Sequence, residues 1–193
     1  IGRLVDENGK LIAAVEFMPM AARHGLTAAV DIKFVRTLHD AANRGKIPAG
    51  PLAINLSAQS LQDTGLADYL RQVLPDLKRA SGRVIFEFSE FGLTQHLHAA
   101  EEFAAMLRTS GADLAVDNFG LHHAAFEYLL TLRPAYIKLG PAYIAGISSR
   151  PENQHFVSSV VKIARPLGIS TIAIGAESAE TLEFLRKLGV DGY

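Results

Sequence analysis

The chain has 193 residues, 49% hydrophobic and 20% charged, with 19 Lys+Arg against 20 Asp+Glu and no cysteine, an ordinary composition that predicts one globular domain over residues 1–193. A net charge of −1 supplies no field for gripping a nucleic-acid polymer or an acidic lipid surface, so an anionic ligand must be held by a local pocket. The absence of cysteine excludes a disulfide scaffold, a thiolate zinc site, an iron–sulfur cluster and a cysteine nucleophile, and no apolar run reaches the ~18 residues of a membrane span.

In chain order, the apolar spacing predicts a helix over 28–43, a strand over 52–56, a helix over 66–74 and a strand over 84–88. Next come a helix over 99–108, where Ala100, Phe103, Ala104 and Leu107 recur at helical spacing, and a strand over 113–117. A helix over 124–131, a strand over 135–139, a helix over 154–167, a strand over 170–174 and a helix over 179–188 complete the pattern. Gly111, Gly168 and Gly189 each stand just past the end of a helix, as left-handed capping glycines do. Strand–helix alternation of this kind predicts an α/β fold with a parallel sheet and crossover helices. No G-x-G-x-x-G or P-loop pattern supports a dinucleotide-binding doubly wound sheet. Polar residues instead mark the ends of successive strands, at Asn55, Glu87, Asp117 and Lys138. Side chains of this sort at the C-terminal ends of several parallel strands are what the mouth of a (β/α) barrel requires. Asn55, Glu87 and Asp117 offer hard oxygen ligands for Mg²⁺ or Mn²⁺, and Lys138 offers a point charge for a phosphate.

Asn55-Leu56-Ser57, Phe86-Glu87-Phe88-Ser89-Glu90, Asp117-Asn118-Phe119-Gly120, Tyr136-Ile137-Lys138 and Ile172-Ala173-Ile174-Gly175-Ala176-Glu177 resemble the ordered motifs of EAL domains, the cyclic-di-GMP phosphodiesterase family. Phe17-Met18-Pro19-Met20-Ala21 with Gly25-Leu26 resembles the family segment ahead of its first long helix. The resemblance covers essentially the whole chain and implies a TIM-like (β/α)8 barrel of the EAL type. It is incomplete at both ends: Ile1 and Arg3 match the leucine and arginine of the family's Glu-x-Leu-x-Arg motif, and its glutamine-glycine motif would begin just after Tyr193. Active members hydrolyse cyclic-di-GMP with two divalent cations.

The resemblance implies that Arg3, Asn55, Glu87, Asp117 and Lys138 bind ligand. Asn55, Glu87 and Asp117 are the metal ligands if a metal binds, and Glu90, Asn118 and Glu177 support the loops. It also exposes departures. Asn118 replaces a carboxylate that serves the second metal, Leu121-His122-His123-Ala124-Ala125 replaces a Thr-Gly-Tyr-Ser-Ser-like loop, and Gly140 replaces an aspartate. Ile174 stands where the family has its general base. Loss of a positioned base forfeits about 10²–10⁴ in rate, and Ile174 cannot take a proton. The expectation is therefore a catalytically inactive receptor for cyclic-di-GMP in bacterial signalling, of the LapD-like type. In that type the domain is the cytoplasmic end of an inner-membrane protein, with a diguanylate-cyclase-like neighbour and a homodimeric assembly. No cofactor is required for that reading, and Mg²⁺ or Mn²⁺ would serve residual hydrolysis. The alternatives are a nucleotide-independent interaction or dimerisation module and a weak metal-dependent phosphodiesterase.

Other features read as structural. Strand alternation sends Phe86 and Phe88 to the face opposite Glu87, against outer helices. Glu90 reads as a brace for the loop after Asp117. His122 and His123 read as a solvated loop, His96 and His98 as a polar helix start or a loop, and Arg150-Pro151 as a helix-start turn.

Overall fold

The computed structural model describes residues 3–5, 7–121 and 126–193, and it divides into two compact units, Ile1–Leu52 with Gln59–Val84 and Ala53–Ala58 with Ile85–Tyr193.

The first unit opens with a short antiparallel pair, β1 (Arg3–Val5) against β2 (Leu11–Ala13), with Arg3 opposite Ala13. The Phe17–Ala21 segment that comes next is itself helical, inside α1 (Ala14–Arg23), and Glu16 Oε1 accepts the Ala13 N–H at 3.2 Å to satisfy the helix entry. Beyond it lie α2 (Thr27–Asn43) and α3 (Thr64–Ser81), the latter started by Asp63, whose Oδ1 accepts the Leu66 N–H at 2.8 Å. The helix expected from spacing ends at Leu74, ahead of Pro75, yet α3 runs through Pro75 to Ser81. Its buried stripe of Leu66, Leu70, Val73, Leu74 and Leu77 continues across the proline. Each such side chain gains about 1.5–3 kcal/mol on burial, so the stripe taken together outweighs the ~3 kcal/mol that an interior proline costs. The His39 ring joins α2 to α3, with Nε2 3.0 Å from Asp76 Oδ2 and Nδ1 3.3 Å from the Tyr69 hydroxyl.

The second unit is built on a sheet in the order β3 (Leu52–Asn55), β4 (Val84–Ser89), β5 (Asp113–Phe119), β6 (Tyr136–Leu139) and β7 (Ser170–Ala173). The strands pair in parallel, so every predicted strand is present and consecutive strands are neighbours. Helices α4 (Glu90–Gln95), α5 (Leu97–Ser110), α6 (Tyr128–Leu132), α7 (Pro141–Ile144), α8 (Pro151–Ala164) and α9 (Ala179–Leu188) flank it. This is the expected TIM-like α/β architecture with the barrel left open among the described residues. Beyond β7 the chain returns alongside it, where Ala173 N–H donates to Gly192 O at 2.8 Å and Ile172 bridges Gly192 in parallel.

Gly111, Gly168 and Gly189 have φ of 66°, 71° and 82°, the left-handed caps expected of them. Arg150 precedes α8 with Pro151 in its first turn, and the predicted end at 167 tightens into a 3-10 turn over Arg165–Leu167. The predicted helix over 124–131 appears as α6, and its first two residues fall outside the described ones. Alternation along β4 holds as well: Phe86 and Phe88, both fully buried, meet Phe103 of α5 edge to face at 6.3 and 5.4 Å.

Candidate active site

Four polar side chains stand at the C-terminal ends of neighbouring strands: Asn55 on β3, Glu87 on β4, Asp117 on β5 and Lys138 on β6. Asn55 is exposed, whereas Glu87 is only 6% exposed. Burying the Glu87 carboxylate is tolerable because it has a countercharge. Lys138 Nζ donates to Glu87 Oε2 at 2.8 Å and lies 3.6 Å from Asp117 Oδ1.

A β-bulge sets up this cluster. Val116 pairs with Ile137 and Phe119 with Leu139, so Asp117 and Asn118 together face the single residue Lys138. The extra residue puts Asn118 in the left-handed region at φ 53°, where asparagine is better tolerated than most side chains. There the Asn118 amide donates to Asp117 Oδ2 at 3.1 Å, as an aspartate could not.

Glu90, 1% exposed at the start of α4, braces the turn after β5. Its Oε2 accepts the Gly120 N–H at 2.9 Å and its Oε1 accepts the Tyr128 hydroxyl at 2.8 Å. Burial, and then the adjacent Glu90 charge, pushes the Tyr128 phenol well above the usual tyrosine range, so Tyr128 acts as a fixed donor. Phe126 stacks on Phe119 at 5.6 Å, so both sides of the 120–126 connection are anchored to β5 and α4. Glu90 thus contacts the chain on both sides of that turn, at Gly120 and at Tyr128. Tyr128, its partner, is not singled out by the sequence pattern, because the two are 38 residues apart and no local spacing links them.

Asp117 Oδ1 is buried and accepts no hydrogen bond, an arrangement that a cation would satisfy. A divalent cation at this place would draw on the oxygens of Asn55, Glu87 and Asp117, and it would supply positive charge to a phosphate oxygen. A second does not fit. Asn118 offers only a neutral amide oxygen beside the N–H that it donates to Asp117, and no cluster of three His, Asp or Glu side chains suited to a metal exists among the described residues.

Ile174 follows β7, its N–H donating to Leu139 O at 3.2 Å, and is half-buried. Gly140 caps α7 at an ordinary φ of −62°. Glu177 is exposed between β7 and α9. Arg3 lies on β1 of the first unit and is exposed. His122, His123 and the rest of the altered loop to Ala125 fall outside the described residues. His96 does begin α5, and His98 in its first turn lies 3.6 Å from Glu102.

The family model for the EAL domain matches residues 2–193. The chain belongs to the EAL domain family. It is 29% identical over 191 residues to the cyclic di-GMP phosphodiesterase PdeF of Escherichia coli K12, covering 98% of this chain and 26% of PdeF. The chain thus spans about a quarter of that relative's length. Among solved structures it resembles the FimX EAL domain of Pseudomonas aeruginosa bound to c-di-GMP, with a TM-score of 0.83 and 25% identity over 97% of this chain and 76% of that one. The S helix-GGDEF-EAL portion of Vibrio cholerae LapD, also bound to c-di-GMP, shares the fold with a TM-score of 0.83 and 24% identity, over 96% of this chain and 45% of that one. Within this EAL domain, the strand-end residues Asn55, Glu87, Asp117 and Lys138 are the expected mouth positions, and Glu87, Asp117 and Lys138 meet there. No helix among the described residues is long and apolar enough to cross a membrane.

Proposed function

We propose that this EAL domain binds cyclic-di-GMP without hydrolysing it and works as a receptor. The observation that carries the reading is Ile174, an aliphatic side chain at the end of β7 where the family motif has its general base. Asn118, which replaces the second cation's carboxylate, supports it, because two-metal hydrolysis needs both ions. Retention of Glu87, Asp117 and Lys138 at one mouth supports binding, since a phosphodiester can be held by charge and apolar walls without completing the chemistry. The FimX domain bound to c-di-GMP, at 25% identity, supports the ligand class. In this reading Asn55, Glu87, Asp117 and Lys138 form the binding set, and no metal is required. In the same reading residues 1–193 are one cytoplasmic domain of a homodimeric signalling protein that carries a diguanylate-cyclase-like neighbour, as in the S helix-GGDEF-EAL arrangement of LapD.

Titration calorimetry with cyclic-di-GMP, run beside chromatography for linear product, tests the proposal. Saturable binding with no product in Mg²⁺ or Mn²⁺ is expected, and no binding would overturn it. The second reading, a weak phosphodiesterase, is favoured by the unsatisfied Asp117 Oδ1. It requires metal-dependent product that disappears in Glu87→Ala.

A further inference from the structure

Gly120 is held from both sides. Its N–H goes to Glu90 at 2.9 Å, and its carbonyl oxygen accepts the hydroxyl of Tyr143 from α7. The Tyr143 ring stacks on Phe156 of α8, with centroids 4.0 Å apart and planes at 21°. Gly120 has φ +92°, and a Cβ there would lie 2.2 Å from Phe156 Cζ and 3.0 Å from Tyr143 Cε2, so the aromatic pair is packed directly onto the glycine backbone. Two residues before it, Asn118 has φ 53°. A left-handed non-glycine backbone persists only where its surroundings over-determine it.

We infer that Tyr143 is a positioning residue of the mouth: its hydroxyl, acting through the Gly120 carbonyl, holds the strained Asn118 backbone that aims Asp117 and Asn118 at the ligand. The Tyr143 bond is made to the Gly120 carbonyl and the Glu90 bond to its N–H, so the two contacts hold different peptide groups of the turn. Because Tyr143 and Phe156 sit on α7 and α8, the same contact ties the geometry of the mouth to these two helices. The inference rests on the mouth being the cyclic-di-GMP site.

A double-mutant cycle between Tyr143→Phe and Asn118→Gly tests it. Tyr143→Phe keeps the stacked ring and removes only the hydroxyl. Glycine at 118 adopts φ 53° without strain, so the turn no longer needs to be held. Cyclic-di-GMP affinity is expected to fall about five- to tenfold in Tyr143→Phe. In the Asn118→Gly background the same change should cost less than twofold. An equal loss in both backgrounds, or none in the parent, overturns the inference. Amide hydrogen exchange on the apo domain supplies a ligand-independent arm, in which Gly120 N–H should exchange about tenfold faster in Tyr143→Phe but not in the double variant relative to Asn118→Gly. If the parent protein fails to bind cyclic-di-GMP, the receptor reading falls while the exchange cycle still decides the role of Tyr143: faster exchange that depends on Asn118 upholds it, and unchanged exchange refutes it.

Discussion

Lys138 Nζ lies 2.8 Å from Glu87 Oε2, an ion pair that reaches across β5 from β6 to β4. The side chains are 21% and 8% exposed, so removing the lysine leaves a carboxylate buried without its countercharge. Breaking a fully buried pair costs about 3–5 kcal/mol. Lys138→Met should therefore lose about 2–4 kcal/mol, discounted because the lysine head keeps some water. Glu87→Gln in the same background should recover most of the stability, since the orphaned charge is gone, but not ligand affinity. Urea denaturation and calorimetric titration separate the two effects. A double variant as unstable as Lys138→Met would show that the pair is not what the lysine stabilises.

The Glu90 brace carries one buried and one half-buried donor on a single carboxylate. Tyr128→Phe removes one hydrogen bond and should cost about 1 kcal/mol. Glu90→Ala strands both the Gly120 N–H and the Tyr128 hydroxyl, at about 1–3 kcal/mol for each unsatisfied group. A total loss of about 2–5 kcal/mol is expected. In the Glu90→Ala background Tyr128→Phe should become neutral or stabilising, because the stranded hydroxyl is removed. Equilibrium unfolding of the four proteins in the cycle measures this, and additive losses would contradict the geometry.

Periodicity carried the reading of the fold furthest where it acted locally. The alternation in Val84–Ser89 puts Phe86 and Phe88 on the helix side and Glu87 on the other, as the structure has it. Phe103→Ala should accordingly cost about 3–5 kcal/mol by thermal or urea unfolding, since it opens a cavity beside both rings. What stayed hidden depends on pairs distant in sequence. The bulge at Asp117 and Asn118 is fixed by register against β6, and no alternation within 113–117 announces the extra residue. Tyr143 meets Gly120 across 23 residues and Tyr128 meets Glu90 across 38, so their roles come from topology rather than from motif. The expected helix over 66–74 stops short of Ser81 because propensity disfavours an interior proline such as Pro75, whereas the leucine stripe that carries α3 through it is satisfied by tertiary burial.

The contact between α2 and α3 has an acid-side signature. Asp76 is held below the usual aspartate range chiefly by its hydrogen bond with His39; desolvation opposes the shift, and the Arg79 and His39 charges add to it. A carboxyl whose folded pKa is depressed stabilises the protein above its unfolded value, near 4. That contribution is lost as pH falls through the folded pKa. Asp76→Asn should thus lower Tm at pH 7, and the gap from the parent should close as the pH falls below about 4 and on through the folded pKa. A gap that persists at acid pH would mean that the loss comes from packing and not from the charge.

On the receptor reading, three substitutions should supply the chemistry that the mouth lacks. Ile174→Glu restores a carboxylate at the end of β7, and Asn118→Asp supplies one at a left-handed position that aspartate also tolerates. Gly140→Asp fits because a Cβ there meets Leu121 Cγ at 3.5 Å, an ordinary contact. Asn118→Asp alone places a second carboxylate beside Asp117, whose Oδ1 already lacks a donor, so this variant should be less stable than the parent without metal. It should be rescued by Mn²⁺, since a cation bound only to the folded state adds about 2.7 kcal/mol at one hundred times its Kd. Ile174→Glu by itself should stay near background, because one positioned base cannot replace the second cation. The triple variant should hydrolyse cyclic-di-GMP at least about 10²-fold faster than the parent in Mn²⁺, the low end of what a positioned base contributes. Chromatography for linear product and metal-dependent Tm give independent readouts. Metal rescue without turnover would mean that the mouth binds its cation but lacks a further group for the reaction, and turnover already present in the parent would overturn the receptor assignment.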